Sequence, residues 1–166
     1  MIDLIQQLQV IQAVEPTSGA GAAAGDYILM KNCHAIWCVA SFRRDNSNTC
    51  AITHEVASDF AGTGSSAVST GVQSWSAPDI TANGGQRLVA RTTLAYAYTL
   101  PAAAKPAVYV SRFDPSCVPT NSGTSNTHYC VKFGTMASSK NNMSATYYIE
   151  PRYPGYQHLL ATTSST

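Results

Sequence analysis

Charge is what this sequence has least of. Only 11% of its 166 residues are Asp, Glu, Lys or Arg, against about 25% in ordinary soluble domains. Between Asp59 and Arg87 the one charged residue is Asp79. A free monomer keeps more charge than this for solubility, whereas a protein packed into an assembly has less need of it. The bases are scattered, with only Arg43 and Arg44 adjacent, and net charge is +1. Nucleic-acid binding depends on clustered cations that neutralise phosphates, so no nucleic-acid partner is expected. Long apolar runs are missing too: no stretch approaches the roughly 18 apolar residues of a membrane span, and no membrane partner is expected. The opening Met1-Ile2-Asp3 lacks a basic region, and Gln6, Gln7 and Gln9 interrupt any apolar run. The expectation is therefore a chain folded in a reducing cytoplasm.

Reaction and ligand signatures are equally scarce. The five cysteines, Cys33, Cys38, Cys50, Cys117 and Cys130, are odd in number, so they cannot all pair within one chain. There is no CxxC and no HxxxH. Cys33 and Cys38 are five apart, which in a regular strand puts them on opposite faces. Cys50 and His54 share a face, but four residues at about 3.3 Å each separate them by about 13 Å. Zinc needs its ligands within about 2.3 Å of the ion. The expectation is no metal, buried thiols that act as small core residues, and a hydrogen-bonded histidine. GxSxG is absent. Gly62-Thr63-Gly64-Ser65-Ser66 lacks the lysine of a phosphate-binding loop. Five of the nine acids, Glu15, Asp26, Asp45, Asp79 and Asp114, sit beside turn formers, and turn formation accounts for the aspartates more simply than paired-carboxylate catalysis. No catalytic residue and no cofactor is indicated, and the chain reads as not an enzyme.

What is present is β-pattern. Thr49–Val56 alternates, with Cys50, Ile52, His54 and Val56 on one face. Tyr27–Met30 is a short apolar run, and Cys33–Phe42 is apolar enough to suggest a strand covered on both faces. Ala67–Trp75, Leu88–Leu100, Ala107–Phe113, His128–Phe133 and Met143–Ile149 read as further strands, and Ala57–Phe60 as a helical turn. Asp45–Asn48, Asn83-Gly84-Gly85, Asp114-Pro115, Asn121–Asn126 and Pro151 punctuate them. Roughly eight short strands without a long helix predict an all-β fold: one antiparallel β-sandwich of jelly-roll type. Residues 19–160 form this single domain. Residues 1–18 are read as an N-terminal arm with apolar Ile2, Leu4, Ile5 and Leu8 on a Gly/Ala hinge, and residues 161–166 as a frayed tail.

Four stretches carry a resemblance. They are Gly25-Asp26-Tyr27-Ile28-Leu29-Met30-Lys31-Asn32, Ala51 through Asp59, Ala61-Gly62-Thr63-Gly64, and Asn142 through Tyr153, NMSATYYIEPRY. In this order they resemble small virion proteins of tailed phages and prophages, the capsid decoration (cement) proteins and related accessory proteins. The pieces cover about half the chain, and they are fold-shaping residues rather than a reactive site. The five cysteines and the loop Thr120–Thr127 depart from the pattern. The resemblance implies a jelly-roll-like sandwich, a homo-oligomer (dimer or trimer), the major capsid protein as partner, and a place on the capsid surface of a virion assembled in the bacterial cytoplasm. A tail or head–tail connector component is the nearest alternative. A carbohydrate-binding sandwich that uses Trp75 or the C-terminal tyrosines is the alternative of another class. Candidate partner contacts are Ile2, Leu4, Ile5, Leu8, Arg152, Tyr153 and Tyr156, because Tyr and Arg bring large contact area with a polar tip.

Overall fold

Twelve strands run through the described residues: β1 (Gln9–Ser18), β2 (Ala23–Ala24), β3 (Ile28–Leu29), β4 (Cys33–Arg43), β5 (Cys50–Ala57), β6 (Ser66–Ala67), β7 (Gln73–Ala77), β8 (Val89–Ala90), β9 (Ala97–Leu100), β10 (Ala107–Phe113), β11 (His128–Phe133) and β12 (Asn142–Pro151). The structure is a computed structural model, and it describes residues 8–68, 72–81, 87–91, 97–118 and 126–153. All pairings are antiparallel. The first sheet has the order β1-β12-β4-β10-β7-β8. The second has β2-β11-β5-β6, with β3 also on β11 and β9 also on β5. Among the described residues the one helical element is a 3-10 turn at Pro115–Cys117. The all-β sandwich expected from the pattern is what the chain forms.

The core lies between the two sheets. Alternation decides which side chains enter it: Cys50, Ile52, His54 and Val56 are buried on β5, and Tyr109 and Phe113 on β10. Opposite sheets meet through aromatic rings. Phe113 stacks on Tyr129 with centroids 4.5 Å apart, and Phe42 meets Phe133 edge-on at 5.5 Å. Such pairs add about 0.5–1.5 kcal/mol each beyond the area they bury. Cys33, Cys38, Cys50 and Cys130 are buried thiols, as expected.

Several local expectations change. Gln9–Ser18 is an edge strand laid along β12, so the supposed arm is part of the sheet from residue 9 onward. Its register slips twice, between Gln12 and Val14 and between Val14 and Thr17. The Gln12 amide fills the gap by donating to Val14 O at 2.8 Å and Ala145 O at 2.9 Å. Cys33 and Cys38 are both buried rather than on opposite faces, because consecutive buried residues Ala35 and Ile36 break the alternation of β4 where its register to β12 shifts. β4 is covered on one face only, since Trp37 and Val39 remain partly exposed. The run Leu88–Leu100 is divided between sheets: Val89–Ala90 pairs with β7, and Ala97–Leu100 pairs with β5. Ala67–Trp75 contributes instead to β6 and β7. Ala57 ends β5, and Ser58–Thr63 forms a turn closed by the Asp59 carboxylate on Thr63 N at 2.9 Å, not a helical turn. The tail at 161–166 lies outside the described residues.

One prediction follows from β1. Ile11, Ala13 and Val14 are core residues, so removing residues 1–14 strips three buried side chains and most of the β1–β12 ladder. That deletion should cost about 4 kcal/mol or more and be visible in urea unfolding. A midpoint equal to that of wild type would show that β1 adds nothing to the fold.

Candidate binding surface

The two outer faces of the sandwich are unlike, and register shows why. On the first sheet the outward positions fall into rows. One row runs Val10, Tyr148, Trp37, Arg112, Gln73; the next runs Gln12, Thr146, Val39, Val110, Trp75, Ala90. Arg112 is the only charge in these two rows. Trp37 and Trp75 lean toward each other across β10 and stack, with centroids 5.7 Å apart and planes 24° from parallel. The Arg112 guanidinium stands 5.8 Å from the Trp37 ring centre, a cation–π contact of about 0.5–1 kcal/mol at a partly exposed site.

The second sheet's outer face is small and polar. Lys132 pairs with Glu55 at 2.5 Å, and the Tyr27 hydroxyl donates to the same carboxylate at 3.1 Å. Exposed Ala51, Ala97 and Thr99 fill out that face. Among the described residues, the exposed large hydrophobic side chains are Val10 (54%), Leu88 (40%), Val89 (61%) and Tyr153 (57%). Every one lies on a margin of the first sheet, beside one, or just beyond the end of β12. None belongs to the second sheet.

The candidate contacts named from the sequence come together in part. Gln9 pairs with Ile149, so Leu8 and the pair Arg152-Tyr153 emerge at the same end of the first sheet from opposite ends of the chain. Leu8 is partly buried; Arg152 and Tyr153 are exposed. Arg152 is tied down by its backbone N–H to Asn32 O at 2.7 Å. It lines a cleft of about 350 Å3 with Lys31, Cys33, Pro115 and Thr127. Ile2, Leu4, Ile5 and Tyr156 lie outside the described residues. Sequence reading missed the Trp37–Arg112–Trp75 cluster. The signal was available: Trp37 and Val39 on β4, Val110 and Arg112 on β10 and Trp75 on β7 sit at outward parity, but the pairing of β4 with β10 and of β10 with β7 is not local in sequence.

The titratable groups mostly serve the fold. His54 is fully buried, with Nδ1 2.6 Å from the Tyr129 hydroxyl and Nε2 3.0 Å from the Tyr109 hydroxyl. Burial pushes its pKa down to about 4. This is the hydrogen-bonded histidine expected from the sequence. Burial raises the thiols of Cys33 and Cys130 to about 12 and that of Cys50 to about 11, which keeps them unreactive at neutral pH. Asp79 and Asp114 hold turns, accepting from Thr81 N at 3.0 Å and Ser116 N at 2.9 Å. The Lys105 ammonium first, then the Thr81 hydroxyl, hold the Asp79 carboxyl far below its usual range. Among the described residues, no group of three His, Cys, Asp or Glu is placed to hold a metal ion.

No protein-family model matches the sequence, and no curated protein matches it. Among solved structures the chain is similar to the SPBc2 prophage-derived protein YomS, with a TM-score of 0.44, 8% identity, and coverage of 86% of this chain and 91% of that one. It is also similar to a carbohydrate-binding module specific for non-crystalline cellulose, with a TM-score of 0.36, 8% identity, and coverage of 87% of this chain and 77% of that one.

Proposed function

We propose that this chain is a non-enzymatic structural protein of a phage particle, a decoration protein that docks on the major capsid protein through the outer face of its first sheet. The observation that supports this most is a charge-poor outer face, with Arg112 the one charge in its two rows and exposed Val10 and Ala90 at their margins. Protein interfaces combine buried aromatic and Arg anchors with charge-poor surroundings, and Trp37, Trp75, Tyr148 and Arg112 supply that set. The low charge of the whole chain and the virion-protein resemblance of its four motif stretches point the same way.

Stabilisation by such a protein is mass action. A protein that binds only the assembled shell lowers the free energy of that state and leaves free subunits unaffected. Oligomerisation as a dimer or trimer multiplies modest contacts by avidity. Copy number per particle separates this role from a tail or connector role, hundreds against six or twelve.

The aromatic row also raises saccharide stacking. A sugar ring needs a bare aromatic face, and here the tryptophans stack on each other while Arg112 covers Trp37. That geometry favours a protein partner.

The test replaces Val10 and Ala90 by glutamate together, with Thr99→Glu on the second sheet as control. All three side chains are exposed, so melting temperatures should stay close to wild type. Binding of the double variant to particles lacking the protein should weaken by about 30-fold or more, since two buried charges at an interface cost over 2 kcal/mol. Thr99→Glu should bind as wild type does. Full occupancy by the double variant would remove the first sheet's face from consideration.

A further inference from the structure

Among the described residues, few side-chain hydrogen bonds join a strand of one sheet to a strand of the other. Tyr98 of β9 donates to Ser76 Oγ of β7 at 3.2 Å, and Val131 N of β11 donates to the Tyr147 hydroxyl of β12 at 2.8 Å. The third is His54 of β5 with the Tyr109 hydroxyl of β10. The first two are made by hydroxyls and a backbone amide. The third is made by an imidazole, the side chain whose charge changes most readily near neutral pH.

We propose that His54 is an acid-sensitive clasp between the two sheets, and that taking up a proton loosens the sandwich along the β5–β10 seam.

The geometry requires it. A neutral imidazole has one N–H, so at His54 one tyrosine hydroxyl donates to the ring and the other accepts from it. The protonated ring donates from both nitrogens. The hydroxyl that was donating must then turn away, and the new charge sits where no acid faces it. The titratable neighbours are Tyr109 on β10 and Tyr129 on β11, in ring contact with His54. One ring further lie Tyr98 on β9 and Tyr147 on β12, with Cys38 of β4 near the phenols. Burial pushes Tyr109, Tyr129, Tyr147 and Cys38 upward and keeps them neutral. Beyond them the Arg91 guanidinium covers the outer Tyr98 ring. Glu55, next in sequence, points to the opposite face and is paired with Lys132. On β10, buried Ser111 Oγ lies beside the Tyr109 and Tyr129 hydroxyls, a neutral dipole only.

The sign is fixed by which state holds the proton. An unfolded histidine titrates near 6.5 and His54 near 4. Between these values the open chain binds more protons, so the clasp is at full strength above pH 6.5 and weakens as pH falls to 4. For this shift the open-to-closed ratio should rise about 30-fold at pH 5 and roughly 150-fold at pH 4, relative to pH 7.5. The carboxylates held low, Asp59, Asp79 and Asp114, begin to lose their contributions only at the bottom of this window, below about pH 5.

The experiment follows thermal unfolding of the full chain from pH 7.5 to 4.5 for wild type, His54→Gln and His128→Gln. Glutamine can donate to one hydroxyl and accept from the other without titrating. Wild type should lose stability steadily below pH 6.5, His54→Gln should be nearly flat, and His128→Gln should keep most of the wild-type slope. His128 is also shifted down, first by burial, and accounts for the remainder. A His54→Gln slope equal to wild type overturns the proposal. The His54 ring signal in wild-type protein gives an independent reading if the variant fails to fold. It should stay neutral to about pH 5, and titration of that ring near 6.5 in the folded protein also overturns the clasp.

Discussion

Arg44→Ala should lower the melting temperature by about 10 °C. The side chain is only 3% exposed. Its guanidinium donates to three carbonyls: Lys105 O at 2.8 Å, Pro101 O at 2.5 Å and Pro78 O at 2.8 Å. These follow β7, follow β9 and precede β10, so one residue just past β4 pins strand ends from both sheets. Hydrogen bonds from a charged donor are worth about 1.5–3 kcal/mol each. Part of that returns as the freed carbonyls rehydrate, which leaves a net loss of about 3 kcal/mol. For a chain of this size each kcal/mol moves the midpoint by about 2–4 °C. Arg44→Lys keeps the charge but has a point donor where three diverging N–H groups are needed, and it should fall between alanine and wild type. Thermal unfolding by circular dichroism measures all three. A loss below about 1 kcal/mol for alanine would mean the loops hold themselves.

Arg44 also marks the limit of what the sequence discloses. Arg43-Arg44 is visible as the one basic pair, but nothing in the local pattern separates Arg43, which is exposed, from Arg44, which is buried. The difference arises from loops 34 to 61 residues away that supply the carbonyls. Period-two alternation, by contrast, is a local property, and it places β5, β10 and β11 correctly, with Cys50, Ile52, His54, Tyr129, Val131 and Phe133 all buried. Alternation fails at Ala35–Ile36 on β4, beside the register shift between Cys33 and Ala35, and where the backbone slips twice in β1. It is silent on where the chain changes sheets, which divides the run Leu88–Leu100. The motif stretches are legible as fold-shapers. Gly62 sits at φ +79 with Tyr27 packed where a Cβ would stand, and Asn32 takes φ +61 in the turn before β4. The candidate surface was half legible: the C-terminal Arg152 and Tyr153 were read directly, while the tryptophan pair needed strand order, which no local rule supplies.

The two ends of the sandwich divide the labour. Arg44, Asn46, Asn48, Gly19, Met136 and Asn141 cross-link one end through side chains and backbone. Leu8, Arg152 and Tyr153 stand at the other. The braced end thus lies opposite the end at which β1 begins and β12 finishes.

The strongest probe of the braced end is Asn141, which is fully buried. Its Oδ1 accepts from Asp45 N at 2.6 Å, and its Nδ2 donates to Asn46 Oδ1 at 2.7 Å and to Met136 O at 3.0 Å. Asn141→Ala leaves Asp45 N without its acceptor; the Met136 carbonyl keeps Asn48 Nδ2 at 2.9 Å. The loss should be about 3 kcal/mol. Asn141→Asp separates the roles of the two amide atoms. It keeps the acceptor for Asp45 N but faces Asn46 Oδ1 and Met136 O with oxygen against oxygen, and places a charge in a buried site. At pH 7 it should be at least as destabilised as alanine. Burial and two facing acceptors raise that carboxyl above the unfolded aspartate value, so the folded variant binds more protons than the unfolded chain as pH falls. Its stability relative to wild type should therefore increase from pH 7 to pH 5, and the protonated group can again donate to one of the two oxygens. Wild type, governed by His54, moves in the opposite direction over the same range. Urea midpoints at the two pH values decide the matter: parallel lines for wild type and Asn141→Asp would mean that position 141 is reached by water and that its amide does not hold the loops together.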